Sequence, residues 1–183
     1  MPDREVHTIK ELIFYQYAKI IGKMAFGPES KTEAYGFIKK KFRELRDDEM
    51  KWSDILREDR QFVEAVPVCA YCGSSDRLQW EHIVPKSLCI SERCATCDHI
   101  QGIHNQIWAC PSCNASKGTK GLYHFMKDLH PNVKHLSDCV PVLLEKKYLK
   151  TIYYCHQCNG TLDWDKGGEK LTVLDLDFPC LGR

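Results

Sequence analysis

Apolar residues recur at three- and four-residue steps at the start of the chain. Val6, Ile9, Ile13, Tyr17, Ile20 and Met24 fall on one face of a helix. Gly27-Pro28 stops it. Ser30 and Glu33 have capping-box spacing and open a second helix, with Ala34, Ile38, Phe42 and Leu45 on its buried side. Ser53 is placed to cap a short third helix through Val63. The period then changes from helical to alternating. Residues 78–84 read as a strand, with Leu78, Trp80 and His82 on one face and Gln79, Glu81 and Ile83 on the other. Pro85 ends it, because proline cannot donate to a ladder. A second strand is predicted at 106–109. A helix follows from about Cys110 to Lys117, stopped by Gly118. Further helices are predicted over 121–129 and 141–153, and residues 161–177 read as a hairpin turned at Lys166-Gly167-Gly168. The fold class is α+β, with a helical N-terminal region (1–66), a central two-strand-and-helix unit (67–130) and a C-terminal region (131–183).

At 183 residues the chain is long enough for a real core. A hydrophobic share of 43% and a charged share of 28% are ordinary for a soluble globular protein. No apolar run reaches membrane-spanning length and no signal-peptide pattern is present, so no membrane partner is expected. Eleven cysteines without such a signal point to metal ligation in a reducing, cytoplasmic setting rather than to disulfides. The net charge of +1 carries no global nucleic-acid signature. Residues 1–66 are neutral, with thirteen basic and thirteen acidic residues. They suit a helical cap on the central unit, or a DNA-docking or dimerisation arm. Lys39, Lys40, Lys41 and Arg43 could touch phosphate, or form a solvated helix face. Residues 117–150 are locally basic, with seven lysines against Asp128, Asp138 and Glu145. That segment suits a phosphate-tracking surface or ordinary solvated helix faces.

Chemistry concentrates between residues 69 and 117. Cys69-x-x-Cys72 and Cys110-x-x-Cys113 supply four thiolates for a closed tetrahedral site, which suits structural zinc. Between them lies Glu81-His82, and Asn114-x-x-Lys117 follows the second pair. A second set, Cys94-x-x-Cys97 with Cys155-x-x-Cys158, could bind another zinc and tie the tail to the long connection after Ser87. His99, His104 or His156 could replace one of those cysteines. Alternatively the set consists of small buried residues or unrelated knuckles. Cys89, Cys139 and Cys180 are left as buried thiols.

Glu81-His82-Ile83-Val84-Pro85-Lys86-Ser87, then Asn105, then Cys110-Pro-Ser-Cys113-Asn114-Ala-Ser-Lys117-Gly118 together resemble an HNH endonuclease with a zinc-stapled ββα-metal core. The resemblance spans roughly residues 67 to 130. Residues 88–104 depart from it, being longer than the usual connection and without its paired glycines. The family often has Asp where Glu81 stands and His where Asn114 stands; both replacements keep a metal-capable donor. The resemblance implies metal-dependent hydrolysis of DNA phosphodiesters, as in restriction, mobile-element or phage systems. It makes His82 the general base and Glu81 and Asn114 the ligands of a catalytic Mg²⁺ or Mn²⁺. Asn105 would hold the loop that orients His82, and both are counted as catalytic. His82 otherwise reads as a core histidine. Lys117, Lys120 and Lys86 are the candidate DNA contacts. One such site attacks one strand, so double-strand cutting implies a homodimer or two sequential events. The alternative is a catalytically silent zinc module that binds nucleic acid or protein.

Overall fold

Helix α1 (Ile9–Phe26) starts at Thr8, whose hydroxyl accepts from the Glu11 amide while the Glu11 carboxylate accepts from the Thr8 amide. Two more of its unpaired first-turn amides are satisfied by the C-terminal region. Ile9 and Lys10 donate to the carbonyls of Trp164 and Leu162 at 3.1 and 2.9 Å. Gly27, at φ 78°, ends the helix. The structure, a computed structural model, describes residues 4–27, 31–51, 65–88 and 98–177. The expected third helix near Ser53 and the capping residue Ser30 lie outside them.

Helix α2 (Lys31–Arg46) packs along α1 and buries Phe42 and Leu45. The other side of α1 meets the long C-terminal helix described below, so α1 is buried on more than the single expected face. Met24 departs from the pattern: it is 63% exposed near the helix end. The lysine-rich face of α2 is occupied by acidic partners. Arg43 donates to both Glu5 oxygens at 3.0 and 2.6 Å, and Lys41 donates to Glu44 at 2.6 Å.

Strands β1 (Gln79–His82) and β2 (Gln106–Ala109) pair antiparallel, in register Gln79↔Ala109, Trp80↔Trp108, Glu81↔Ile107 and His82↔Gln106. Between them the described chain contains the 3₁₀ turn Lys86–Leu88, the single-turn helix α3 (Asp98–Gln101) and the 3₁₀ turn Ile103–Asn105. After β2 come α4 (Pro111–Lys117), α5 (Leu122–Leu129), a 3₁₀ turn Leu136–Asp138 and α6 (Val142–Asn159). Among the described residues the result is α+β, mostly helical, with one two-stranded sheet.

Two C-terminal expectations are corrected. The helix predicted over 141–153 runs on to Asn159, because Tyr148, Ile152 and Cys155 continue a buried face at helical spacing. Cys155 and Cys158 therefore sit inside α6 rather than in a knuckle loop; Cys155 is packed in the core and Cys158 is exposed. The predicted hairpin reduces to one bridge, Lys166↔Glu169, around Gly167 and Gly168 at φ 63° and 97°. Beyond it the chain curls into the 3₁₀ turn Val173–Asp177, because the Asp175 carboxylate accepts from the Thr172 amide and Lys166.

One buried apolar cluster joins α1, α2, the residues after β1, α5, α6 and the C-terminal region. It includes Leu12, Phe42, Ile83, Tyr123, Tyr148 and Leu176. A buried polar network ties the last turn into it. Asp177 accepts from the Tyr148 hydroxyl on one oxygen and from the His124 backbone amide and ring on the other, at 2.8 and 2.7 Å. That approach needs Gly121, since a Cβ there would lie 2.2 Å from the Asp177 carboxyl carbon. Tyr123 donates to the buried Glu145 at 2.6 Å. Among the described residues no helix is long and apolar enough to cross a membrane.

Candidate metal centre and the adjoining hairpin

Cys69 and Cys72 lie on a turn just before β1, and Cys110 caps α4 at the end of β2. The turn forms because Gly73, at φ 76°, donates to the Cys69 carbonyl at 2.8 Å. It is pinned to the sheet by Ala70, whose amide donates to the Trp108 carbonyl at 2.9 Å. Pro111 at the first helical position starts α4, which brings Cys113 back over Cys110. The four sulfurs all lie within 4.8 Å of one another, and none is in a disulfide. Cys72 and Cys110 are 3.7 Å apart. Thiolates at about 2.3 Å from a tetrahedral zinc stand about 3.8 Å from each other, so that edge already has the right length.

The electrostatics of the cluster are those of ligands sharing one charge. Burial pushes Cys69 up, but the backbone amides of Cys110, Cys72 and Tyr71 outweigh it and bring the thiol down to about 7. Burial and hydrogen bonds to the neighbouring thiols push Cys113 up. Four thiolates this close cannot all be ionised without a cation between them. Among the described residues, a small apolar cluster of Cys69, Ala109 and Cys110 with Tyr71, Leu78 and Cys113 lies behind them, and Tyr71 also packs on the main core. The cluster could hold a structural metal such as zinc.

The adjoining hairpin carries the remaining candidates. Asn105 is fully buried, and its side-chain amide grips the chain just past His82. Its oxygen accepts from the Val84 amide at 2.8 Å, and its nitrogen donates to the Val84 and Ile100 carbonyls, each at 2.9 Å. The Asn105 backbone carbonyl accepts from Ile83 at 2.9 Å. Both polar groups of Val84 are thus satisfied by one side chain, as a neighbouring strand would satisfy them. His82 is half-buried at the end of β1. Its Nε2 is buried and has no hydrogen-bond partner among the described residues. Burial, then the positive charges of Lys86 and Lys117, lower its basicity and favour the neutral imidazole.

Glu81 points to the opposite, inner face and is 5% exposed. One of its oxygens accepts from the Lys117 ammonium at 2.7 Å; the other is buried and without a partner among the described residues. Lys117 also donates to the His82 carbonyl, at 2.9 Å, and is 0% exposed. Burial pushes Glu81 up and Lys117 down, and each opposes the other's shift. Lys117 is therefore not the expected DNA contact. A fully buried ammonium held by a carboxylate and a carbonyl has no surface to offer a phosphate. Asn114, on α4, is half-exposed. Lys86 and Lys120 are exposed, and Lys120 pairs with Asp128 at 2.6 Å. Of the second cysteine set, Cys94 and Cys97 lie outside the described residues, as do Cys89 and Cys180. Among the described residues the tetracysteine cluster is the one group of three or more such ligands close enough for a shared ion.

Several groups at or near the site were not singled out from the sequence. The Tyr71 hydroxyl is buried without a partner among the described residues, and the Glu81 charge helps to hold its pKa well up, after burial itself. Nothing in the sequence signals this, because Tyr71 reads only as filler between two cysteines. The Trp80–Trp108 stack, with ring centroids 3.8 Å apart, follows directly from the strand register, which sets the two residues opposite each other.

The fold and the site define an α+β protein with a tetracysteine cluster suited to a structural metal. Comparison with protein-family models, curated proteins and solved structures finds no match.

Proposed function

We propose that the chain is a metal-dependent HNH-type endonuclease that hydrolyses DNA phosphodiester bonds, with His82 as general base. The observation that carries this reading is a pair of buried atoms without partners among the described residues, His82 Nε2 and the second Glu81 oxygen, on neighbouring residues at a strand end braced by Asn105 beside the cysteine cluster. Unpartnered buried polar atoms are costly and therefore rare unless something else meets them. The donor types suit the chemistry. A neutral imidazole accepts the proton of a water, which attacks phosphorus as the bond to the 3′ oxygen breaks. A Mg²⁺-type ion held by Glu81 and Asn114 would neutralise charge on the phosphate and the departing oxygen. Lys117 orients Glu81 by holding its other oxygen. Asn105 fixes the backbone that carries His82, and so acts through it.

The zinc is structural in this scheme: it joins the turn before β1 to the start of α4, on which Asn114 sits. A silent zinc module is the second reading. The observation favouring it is the Glu81–Lys117 pair, in which two groups expected at a reaction centre are tied to each other out of solvent. Supercoiled-plasmid relaxation by zinc-loaded protein, with and without added Mg²⁺, separates the two. Mg²⁺-dependent nicking is expected; no nicking at any divalent ion tried leaves the binding module.

A further inference from the structure

Strand alternation puts Trp80 and His82 on the outer face of β1, and the register puts Trp108 and Gln106 opposite them on β2. That outer face therefore carries a stacked tryptophan pair two residues from the candidate base, a separation of roughly 7 Å along the strand. The rings stack at 3.8 Å and 27°, and Trp80 is still 44% exposed. Beside Trp108 lies an apolar groove of about 150 Å³ walled by Val66, Val68, Ala70 and Leu143. Val66 and Val68 are themselves exposed. Past the strand end, four residues beyond His82, Lys86 is exposed.

A cross-strand aromatic pair alone would stabilise the hairpin. Burying the pair under the chain would serve that purpose better than leaving one ring half in solvent. Aromatic rings on a sheet face with a cation alongside are the chemistry by which proteins hold unpaired bases. Every base has a π-face, and the backbone is met by charge. From this juxtaposition we infer that Trp80, backed by Trp108, is a stacking platform for an unpaired nucleobase of a DNA strand, next to the phosphate presented to His82. The inference rests on the proposed nuclease reading for its choice of DNA and for the role of His82. It adds a substrate preference: strands with an unpaired nucleotide at the cut site, such as single-stranded DNA, are favoured over continuous duplex. Trp80 is a positioning residue in this account, touching the base and not the reacting atoms.

Binding is measured by tryptophan fluorescence on the full, zinc-loaded chain without added Mg²⁺, so that no cleavage is needed. Three probes are compared: an oligothymidylate of about twelve nucleotides, within the usual span of single-strand sites; an abasic strand of equal length; and a duplex of equal length. The oligothymidylate is expected to quench fluorescence and to bind about tenfold tighter than the abasic strand. Trp80→Leu should erase that margin and leave the abasic affinity unchanged, while Trp80→Tyr should retain most of it. Zinc content and circular dichroism check that the leucine variant folds. If it does not, the oligothymidylate-to-abasic ratio of the wild type and of Trp80→Tyr decides. Equal binding of base-bearing and abasic strands overturns the inference. So does unchanged oligothymidylate affinity in folded Trp80→Leu, or a wild-type dimer that Trp80→Leu dissociates without altering DNA binding. Base-dependent binding through Trp80 without any nicking would retire the nuclease reading and keep the platform; nicking without base dependence would do the reverse.

Discussion

The helical body and the cysteine end of this chain draw unequally on apolar burial. Around α1 and α6, large apolar side chains such as Leu12, Phe42, Tyr148 and Leu149 are almost wholly buried, and Asp177 and Glu145 are satisfied by tyrosine hydroxyls. The cysteine end has two four-residue strands, a seven-residue helix and a three-residue buried apolar cluster, two members of which are cysteines. So short a hairpin is marginal alone. The comparison teaches that burial is ample in the body, whereas at the end bearing His82, Glu81 and Asn114 few residues, Ile83, Val84 and Ile107 among them, reach that core and the local cluster is built largely on sulfurs that could hold a metal.

Metal removal should break this comparison open most widely. Structural zinc in small sites contributes on the order of 10 kcal/mol of folding free energy. Cys110→Ser or chelation should release about one zinc per chain and abolish hydrogen-exchange protection at Ala70 and β2. The amides of α1 and α6 should stay protected. Equal loss of protection in both regions would mean that the two are not separately supported.

The next effect sharpens the boundary between them. Lys117 is a buried cation whose partner is Glu81, so Lys117→Met leaves a carboxylate uncompensated and should cost about 3–5 kcal/mol in denaturant unfolding. Adding Glu81→Gln should recover much of the loss. If the single variant is as stable as wild type, the pair is not buried as described.

Acid should weaken the body in its own way. Burial lowers the His156 pKa to about 4, from a model-peptide value near 6.5. The unfolded chain therefore binds a proton that the folded chain refuses. The stabilisation is complete above about pH 6.5 and is lost as pH falls toward 4, on the order of 3 kcal/mol in all. His156→Gln should flatten that part of the melting temperature–pH curve. A variant that falls as steeply as wild type would remove His156 as the cause.

The smallest effect concerns the C-terminal turn. Asp177→Asn replaces a carboxylate that accepts from Tyr148 and from His124, and should cost about 2 kcal/mol. Zinc content should not change. Loss of zinc in this variant would couple the two regions more tightly than their packing suggests.

What could be read in the sequence was what local rules decide. The bounds of β2, the stops at Gly27 and Gly118 and the inner side of α2 follow from period and glycine placement. The pairing of Cys69 and Cys72 with Cys110 and Cys113 follows from spacing. The misreadings came from tertiary contacts. Lys117 looks like any surface lysine until α4 lays it across Glu81. Cys155-x-x-Cys158 looks like a knuckle because the cysteines draw attention, while the helical face of Tyr148, Ile152 and Cys155 runs straight through it. The C-terminal turn looks like a hairpin because its glycines mark a real turn, but the carboxylates of Asp175 and Asp177 then direct the chain inward rather than into a second strand.

The most direct test of the account compares wild type with His82→Ala in Mg²⁺-dependent plasmid nicking, with zinc content and melting temperature matched. Among the described residues His82 has no partner at Nε2, so the substitution removes no hydrogen bond seen at that atom. A general base of this kind contributes roughly 10²–10⁴-fold. The account predicts a loss of that size in nicking rate with zinc and fold intact. Undiminished nicking by His82→Ala would contradict it.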